Sequence, residues 1–286
     1  MDMTPLITVG IPVYNGERYI KQAVMSVLNQ TFRDLELIVT DDGSKDDTLN
    51  ILNSIKDPRL IIVSDGNNRG IAYRLNQQID MAKGKYFVRM DADDLMLPCR
   101  LEKQVEVLSS KPEVDVVGGQ AVVIGEENEM LGRRSVDTSS FKRDNDYFLS
   151  ARFIHPTVAG QIEWFKKWQY RDEMSGNEDL DLWIRSHKDS VFYDIEEPIL
   201  FYRDPYKFRL KTYMFRQRRY WKCAWKLRNY MSTPFFYCIC VFRGILSMAF
   251  AITLTLIGQE KKMIAKRNKF LTDKEIIFYN KIIETI

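Results

Sequence analysis

Apolar and polar runs alternate regularly along the first hundred residues. Leu6–Tyr14 is apolar and rich in β-branched residues, and it stops at Asn15-Gly16. Glu17–Gln30 then sets Ile20, Val24, Val27 and Leu28 at helical spacing. Leu35–Thr40 has the unbroken apolar run of a buried strand, closed by the polar stretch DDGSKDD. Asp47–Ile55 reads as a short helix and Leu60–Ser64 as a third strand. Ile71, Leu75, Ile79 and Ala82 mark one face of the next helix, and Lys85–Met90 a fourth strand. Short apolar runs alternating with segments of period 3.6 predict an α/β fold. Its sheet would be mostly parallel, with right-handed crossovers and helices on both faces.

The pattern is less regular further on. Leu101–Leu108 predicts a helix, and Val114–Ile124 two short strands around Gly118-Gly119. Loop-like and helical stretches follow to about Arg152. Asn177–His187 reads as a helix and Val191–Tyr202 as one or two strands. The composition changes at Asp204, which predicts a main body over 1–204 and a helical extension over 205–286.

Charge sharpens that boundary. The whole chain carries +3, yet residues 205–259 hold ten Lys or Arg and no acid, and residues 1–204 carry a net −10. A basic tail on an acidic body suggests an anionic partner. A hydrophobic content of 45% and a charged content of 28% fit a folded chain. Four cysteines without a CxxC pair predict reduced thiols in a cytosolic setting. The start, MDMTPLITVGIPVY, lacks a basic n-region and reads as a first strand, not a signal peptide.

In a parallel α/β sheet, ligands bind beyond the carboxyl ends of the strands. Four polar clusters fall there: 12–17, 41–44, 67–70 and 91–94. Singly each is ordinary turn or cap chemistry. In the fourth, Asp91, Asp93 and Asp94 crowd into four positions, and their mutual repulsion needs an offset. A hard cation, Mg²⁺ or Mn²⁺, suits oxygen ligands and substrate phosphates. No His or Cys accompanies the three acids, which argues against zinc. Neither a P-loop GxxxxGK[ST] nor a GxGxxG after the first strand is present.

These residues carry a resemblance. VGIPVYNGERYIKQAVMSVLNQTF, VTDDGSKDDT, NRG and VRMDADD, followed by HPTV at 155–158 and NEDLDLWIR at 177–185, resemble family 2 glycosyltransferases over about residues 5–204. Members of this family are inverting, use nucleotide sugars and have the Rossmann-like GT-A fold. The resemblance implies sugar transfer from a nucleotide diphosphate donor, a UDP-sugar by preference, to a hydroxyl of a glycan or lipid-linked acceptor. It implies that Pro12, Tyr14 and Glu17 line the nucleotide pocket, with Tyr14 against the base. Asp42 would accept from the uracil N3–H, and Asn68 and Arg74 would line the base or diphosphate side. Asp91 would face the ribose or sugar, Asp93 would hold the Mn²⁺ or Mg²⁺, and Asp94 would assist or orient the loop. His155 would contact diphosphate, metal or acceptor.

Asp179 would be the base, with Glu178 beside it. Both sit at a predicted helix start, where the dipole favours the ionised form. The competing reading for Glu178 is a capping box over Ser175–Glu178. Asp181 reads as structural, Trp183 and Ile184 as core, and His187 as a surface or C-terminal dipole partner. Nucleotidyl transfer to a sugar phosphate is an alternative, but it would favour a Gly-rich N-terminal loop. A non-catalytic membrane-docking scaffold is another, against which Asp93 and Asp179 speak.

The tail has its own pattern. Residues 206–230 interleave nine Lys or Arg with aromatics, and Pro234–Ile257 is apolar except for Arg243-Gly244. That apolar run argues against nucleic acid as the partner. Its charge-free part, 245–257, is too short to span a bilayer alone; with Arg243 included the run would reach spanning length, at a cost of a few kcal/mol if the charge sat deep. Basic residues flank both sides: Lys222, Lys226 and Arg228 before, Lys261, Lys262, Lys266 and Arg267 after. A single span would put one flank on the wrong side. The expectation is an interfacial or re-entrant helical pair on the cytoplasmic face, with 205–260 meeting anionic lipid. The alternative is a soluble appendage packed on the body or on a second copy in a homodimer.

Overall fold

The computed structural model describes residues 4–204, 208–259, 262–263 and 268–286. Nine strands form one sheet. β1 (Ile7–Val13), β2 (Leu35–Asp41), β3 (Leu60–Ser64) and β4 (Tyr86–Arg89) are the first four, with β5 (Leu95–Met96) just after them. β6 (Val116–Ile124), β7 (Met130–Arg134), β8 (Ala159–Gln161) and β9 (Phe192–Arg203) complete it. The order is β3-β2-β1-β4-β8-β6-β9-β5, with β7 paired to β6. The run β3-β2-β1-β4 is parallel throughout. Beyond β4 the sheet is mixed: β8 is antiparallel to β4 and β6, β5 is antiparallel to β9, and β6 and β9 are parallel.

The helices between the parallel strands are α1 (Ile20–Leu28), α2 (Thr48–Ser54) and α3 (Ile71–Met81). Every residue of β1 and β2 is buried, because α/β crossovers cover both sheet faces. Ile20, Ala23, Val24 and Val27 of α1 pack on Val9, Ile11, Leu37 and Val39. Full burial of such side chains contributes about 1.5–3 kcal/mol each. α4 (Arg100–Ser110), α5 (Asp146–Leu149), α6 (Ile162–Lys167) and α7 (Glu178–Ser186) surround the mixed half. A second core there gathers Phe87, Phe153, Trp164, Phe165, Leu182 and Trp183.

Three details differ from the sequence expectation. Val116–Ile124 is one strand, not two: its pairing with β9 continues across an irregularity at Gly119 and Gln120. The glycine at 118 is needed there because a Cβ would run into the Phe153 ring. Met130–Arg134 is a strand in a stretch expected to be loops and helices, and Ala159–Gln161 is a strand where no element was expected. At five and three residues they are too short to show a period, and pairing with β6 and β4 fixes them instead.

The tail forms α8 (Leu210–Lys226), α9 (Phe235–Leu256) and α10 (Asp273–Ile283). Cys223, Ala224 and Leu227 of the α8 region, with Phe236 and Cys240 of α9, pack on Phe148, Met174 and Ile184. α10 opens on a capping box of Thr272 and Glu275, and its Tyr279 covers Phe201, Val122 and Ile124. The four cysteines are free thiols. Tyr206, Lys207, Lys261, Lys266 and Arg267 of the expected basic stretches lie outside the described residues.

Candidate active site

The parallel register decides which loops meet. Val13 pairs with Asp41, Asp41 with Ser64, and Gly10 with Arg89. The ends of β3, β2, β1 and β4 therefore share one edge, where the four polar clusters were expected.

The loops after β1 and β2 are tied to each other. The backbone N–H groups of Asn15, Gly16 and Glu17 donate to Ser44 Oγ, Thr48 Oγ1 and Asp46. In return the N–H groups of Lys45 and Asp47 donate to Asn15 Oδ1 and Glu17 Oε2. Asp41 is spent on structure: its carboxylate accepts from the Gly43 and Ser44 N–H groups and the Ser64 hydroxyl. Asp42 accepts from the Arg69 N–H at 2.7 Å, the Gly70 N–H at 3.0 Å and Arg74 Nε at 2.9 Å. A carboxylate has about four lone-pair sites, so one acceptor position stays open. Tyr14 is 51% exposed, Glu17 and Asn68 are exposed, and Pro12 is buried beneath them. Arg74 is fully buried; it reaches Asp42, Asp65 and the Asn67 carbonyl, and so braces the loops from behind.

Asp91, Asp93 and Asp94 each offer an oxygen, and these oxygens lie within 4.8 Å of one another. Arg89 Nη2 pairs with Asp91 at 2.6 Å. Arg203, the last residue of β9, holds the loop. Its N–H donates to Asp94 Oδ1 at 2.8 Å and its Nε to the Asp93 carbonyl at 2.8 Å. Asp94 is fully buried, and its Oδ2 has no partner. Burial, then the neighbouring Asp93 and Asp91 charges, push Asp94 well above the usual carboxylate range. Burial first and Asp91 second raise Asp93 to about 6. An all-oxygen set with one orphaned buried oxygen fits a hard divalent cation, which would satisfy that atom and relieve the repulsion.

The second acidic pair comes from the start of α7. Asp179 Oδ1 accepts its neighbour Leu180 N–H at 2.7 Å. Glu178 is the first helical residue, and its carboxylate folds back onto the Gly176 N–H. Ser175 therefore stands too early to cap this helix, and the expected capping box is not formed. Burial raises both carboxyls above their ordinary values. Desolvation thus opposes the preference for the ionised form expected at a helix start. The Arg89 charge lowers Asp179 and the Asp91 charge raises it, so the two acidic groups and this buried arginine share one field.

Arg89 was missed in the sequence. It is 2% exposed, and its Nε and Nη1 have no partner. His155 sits in the same field, buried, with Nε2 2.9 Å from the Tyr170 hydroxyl. Burial and then Arg89 hold its pKa well below the usual value. Tyr170 and Arg203 were missed as well. A lone tyrosine and a strand-end arginine carry no motif; only the paired strands bring Arg203 to the Asp loop. Asp181 is fully buried between Arg171 and Arg185, and Trp183 lies in the core, as expected. His187 takes the second of its expected places, at the C-terminal end of α7, where it bridges the Ile184 carbonyl and Asp144.

Residues 8–168 match the family described as "Glycosyl transferase family 2". An uncharacterized glycosyltransferase of Methanocaldococcus jannaschii is 29% identical over 275 residues, 90% of this chain and 95% of that one. Against three further relatives, from Haemophilus influenzae, Rickettsia prowazekii and Rickettsia typhi, the chain spans 40% to 62% of their length. Two solved structures share the fold. A mannosyltransferase from Pyrobaculum calidifontis, in complex with GDP-Man and Mn²⁺, matches at TM-score 0.61 and 18% identity, over 99% of this chain and 85% of that one. TarS 1–349 of S. aureus, in complex with UDP-GlcNAc, matches at TM-score 0.62 and 18% identity, over 87% and 74%.

Proposed function

Because this chain belongs to glycosyl transferase family 2 and has the GT-A fold, we propose that it transfers a sugar with inversion. The donor is a nucleotide diphosphate sugar, a UDP-sugar by preference, and the acceptor a hydroxyl of a glycan or lipid-linked glycan. The observation that carries this reading is one electrostatic unit around Arg89. It joins the Asp91–Asp94 cluster on one side to Glu178 and Asp179 on the other. Solved structures of the same fold hold UDP-GlcNAc, or GDP-Man with Mn²⁺, and this supports the donor class.

Pro12, Tyr14 and Glu17 line the nucleotide pocket, with Tyr14 free to stack on the base. Asp42 uses its open acceptor position for the base N–H, and Asn68 flanks it, while Arg74 fixes Asp42 from behind. Asp91 faces the ribose or the donor sugar. Asp93, with Asp94, would hold Mn²⁺ or Mg²⁺, which when bound neutralises charge on the departing diphosphate. Asp179 accepts the proton of the acceptor hydroxyl. The acceptor oxygen bonds the anomeric carbon on the face opposite the diphosphate. The bond to the diphosphate breaks, its electron pair leaves with the nucleotide, and configuration inverts. Glu178 fixes the loop before Asp179, and His155 with Tyr170 packs beneath Arg89.

We place residues 1–204 as the transferase unit and 205–286 as a membrane-associating extension. α9 has 22 residues and is long and apolar enough to cross a membrane by length and composition. The setting that fits is peripheral or re-entrant, on the cytoplasmic face. The test is donor turnover by the purified chain, with and without Mn²⁺, over a panel of nucleotide sugars. Release of a nucleoside diphosphate and no pyrophosphate is expected. Failure to bind any UDP-, GDP- or TDP-sugar sinks the reading.

A further inference from the structure

A cavity of about 460 Å³ opens between the start of α7 and the α8–α9 pair. Asn177, Asp179, Gln217, Tyr220, Arg243 and Ser247 make its polar wall. The carboxylate proposed as base thus looks into a space walled by the tail. That volume lies within the usual range of small-ligand sites.

Arg243 is the only charged residue of Pro234–Ile257, and residues 205–259 contain no acid to pair with it. No ion pair of Arg243 forms among the described residues. A second cation of the tail, outside the cavity lining, touches the loop before α7. Gly176 has φ +80°, and a Cβ there would strike the Arg219 guanidinium, so Arg219 rests on the loop that leads to Asp179. Trp221 Nε1 lies against Gly244 in the same wall and is buried without a partner.

The two sides of α9 differ. Phe236, Cys240, Gly244, Ala251 and Leu254 are buried. Phe235, Phe242, Leu246 and Leu256 point outward, 69%, 60%, 54% and 81% exposed. Their spacings of seven, four and ten places keep them on one side of the helix. An unpaired cation therefore sits where an outward apolar face meets a cavity that ends at the base.

We infer that this cavity takes a lipid-linked acceptor through its phosphate. The phosphate binds Arg243, and the lipid chain follows the outward face of α9. The acceptor sugar fills the cavity with one hydroxyl at Asp179. That hydroxyl gives its proton to Asp179 and its oxygen to the anomeric carbon, and the nucleoside diphosphate leaves with the electron pair. The inference rests on the transferase reading and names the acceptor class of the same site. The acidic body would repel a phosphate; Arg243 in the cavity wall is what admits it.

The test uses the full chain in EDTA, so that no cation in the Asp cluster binds the probe. Farnesyl diphosphate, farnesol and inorganic pyrophosphate are titrated by calorimetry. Farnesyl diphosphate binds, and the other two bind at least tenfold more weakly. Losing one charge-assisted contact in Arg243→Gln weakens farnesyl diphosphate by about tenfold, while Arg243→Lys keeps most of the affinity. Gln217→Glu, which sets a carboxylate in the wall, weakens it as well. Melting curves confirm that each variant is folded. Equal affinity in wild type and Arg243→Gln overturns the inference, and so does pyrophosphate binding as well as farnesyl diphosphate. Nucleotide-sugar binding is measured on the same preparation with Mn²⁺. Donor binding without farnesyl diphosphate binding overturns the acceptor inference alone. Farnesyl diphosphate binding without donor binding overturns the transferase reading on which the inference depends.

Discussion

The proposed donor edge and the proposed acceptor side are built in opposite ways. At the donor edge, loops from neighbouring parallel strands exchange backbone hydrogen bonds, and Asp42 is clamped by two N–H groups and a buried arginine. At the acceptor side, Asp179 bonds only the N–H next to it and faces a cavity whose far wall is a different region of the chain. One half is preorganised within a hundred residues; the other waits for the tail. Preorganised groups suit a part of the substrate that does not change, the nucleotide. An open carboxylate suits the proton that must move.

The sharpest way to test this difference is at Asp179. Asp179→Asn keeps the shape and removes the base, so transfer should fall by about 10³-fold, near 4 kcal/mol in the barrier. Donor affinity should change far less than turnover, since Asp179 makes no hydrogen bond to the nucleotide loops and acts on Asp91 only through its charge. The acid limb of the wild-type pH–rate profile should lie above the ordinary carboxylate range, because burial raises Asp179. Activity is lost as pH falls through that raised value and present above it. Unchanged turnover in Asp179→Asn would remove the division of labour altogether.

The reverse effect is expected at Arg74. Arg74→Leu leaves Asp42 a buried carboxylate without its cation. Breaking such a pair costs about 3 kcal/mol. For a chain of this size that is a melting-temperature fall of roughly 6–12 °C. Calorimetry should show the fall with or without an acceptor, and donor affinity should drop with it. A variant that melts normally would mean that the clamp is not what orders this edge.

What the sequence made legible follows the same division. Asp42, Asp91 and Asp93 could be placed because they end apolar runs, and a parallel sheet brings all strand ends to one edge. Asp179 could be placed through its likeness to a known segment on a helix whose period is clear. The buried oxygen of Asp94, the clamp of Arg203 and the unpartnered Arg89 could not. Each depends on contacts across the sheet, and Arg203 meets Asp94 from 109 positions away. β7 and β8 were hidden for the same reason: pairing with β6 and β4, not local pattern, makes them strands. Arg243 read as a defect in an apolar run; its meaning depends on which helix face meets the cavity.

The smallest effect separates the two halves by pH. Asp93 is raised to about 6 from an ordinary 3.8, by burial and then by Asp91. An acid raised by folding keeps its proton in the folded chain where the unfolded chain has lost it. Between about pH 4 and pH 6 the folded state binds more protons, so this group's contribution to stability falls as pH rises through that window. Above it, the ionised carboxylate stays a cost until a cation joins it. Metal-free Asp93→Asn should therefore melt above the metal-free wild type at pH 7.5 and level with it at pH 4. The surrounding loop excludes part of the water around the Asp93 carboxylate, yet the residue as a whole is exposed, so screening holds the difference to about 1 kcal/mol or less, roughly 2–4 °C. Adding Mn²⁺ at pH 7.5 should raise the wild type and leave Asp93→Asn nearly unmoved. A wild type indifferent to Mn²⁺ would make the three carboxylates a crowded turn, and the donor edge would lose the one place where its order depends on a ligand.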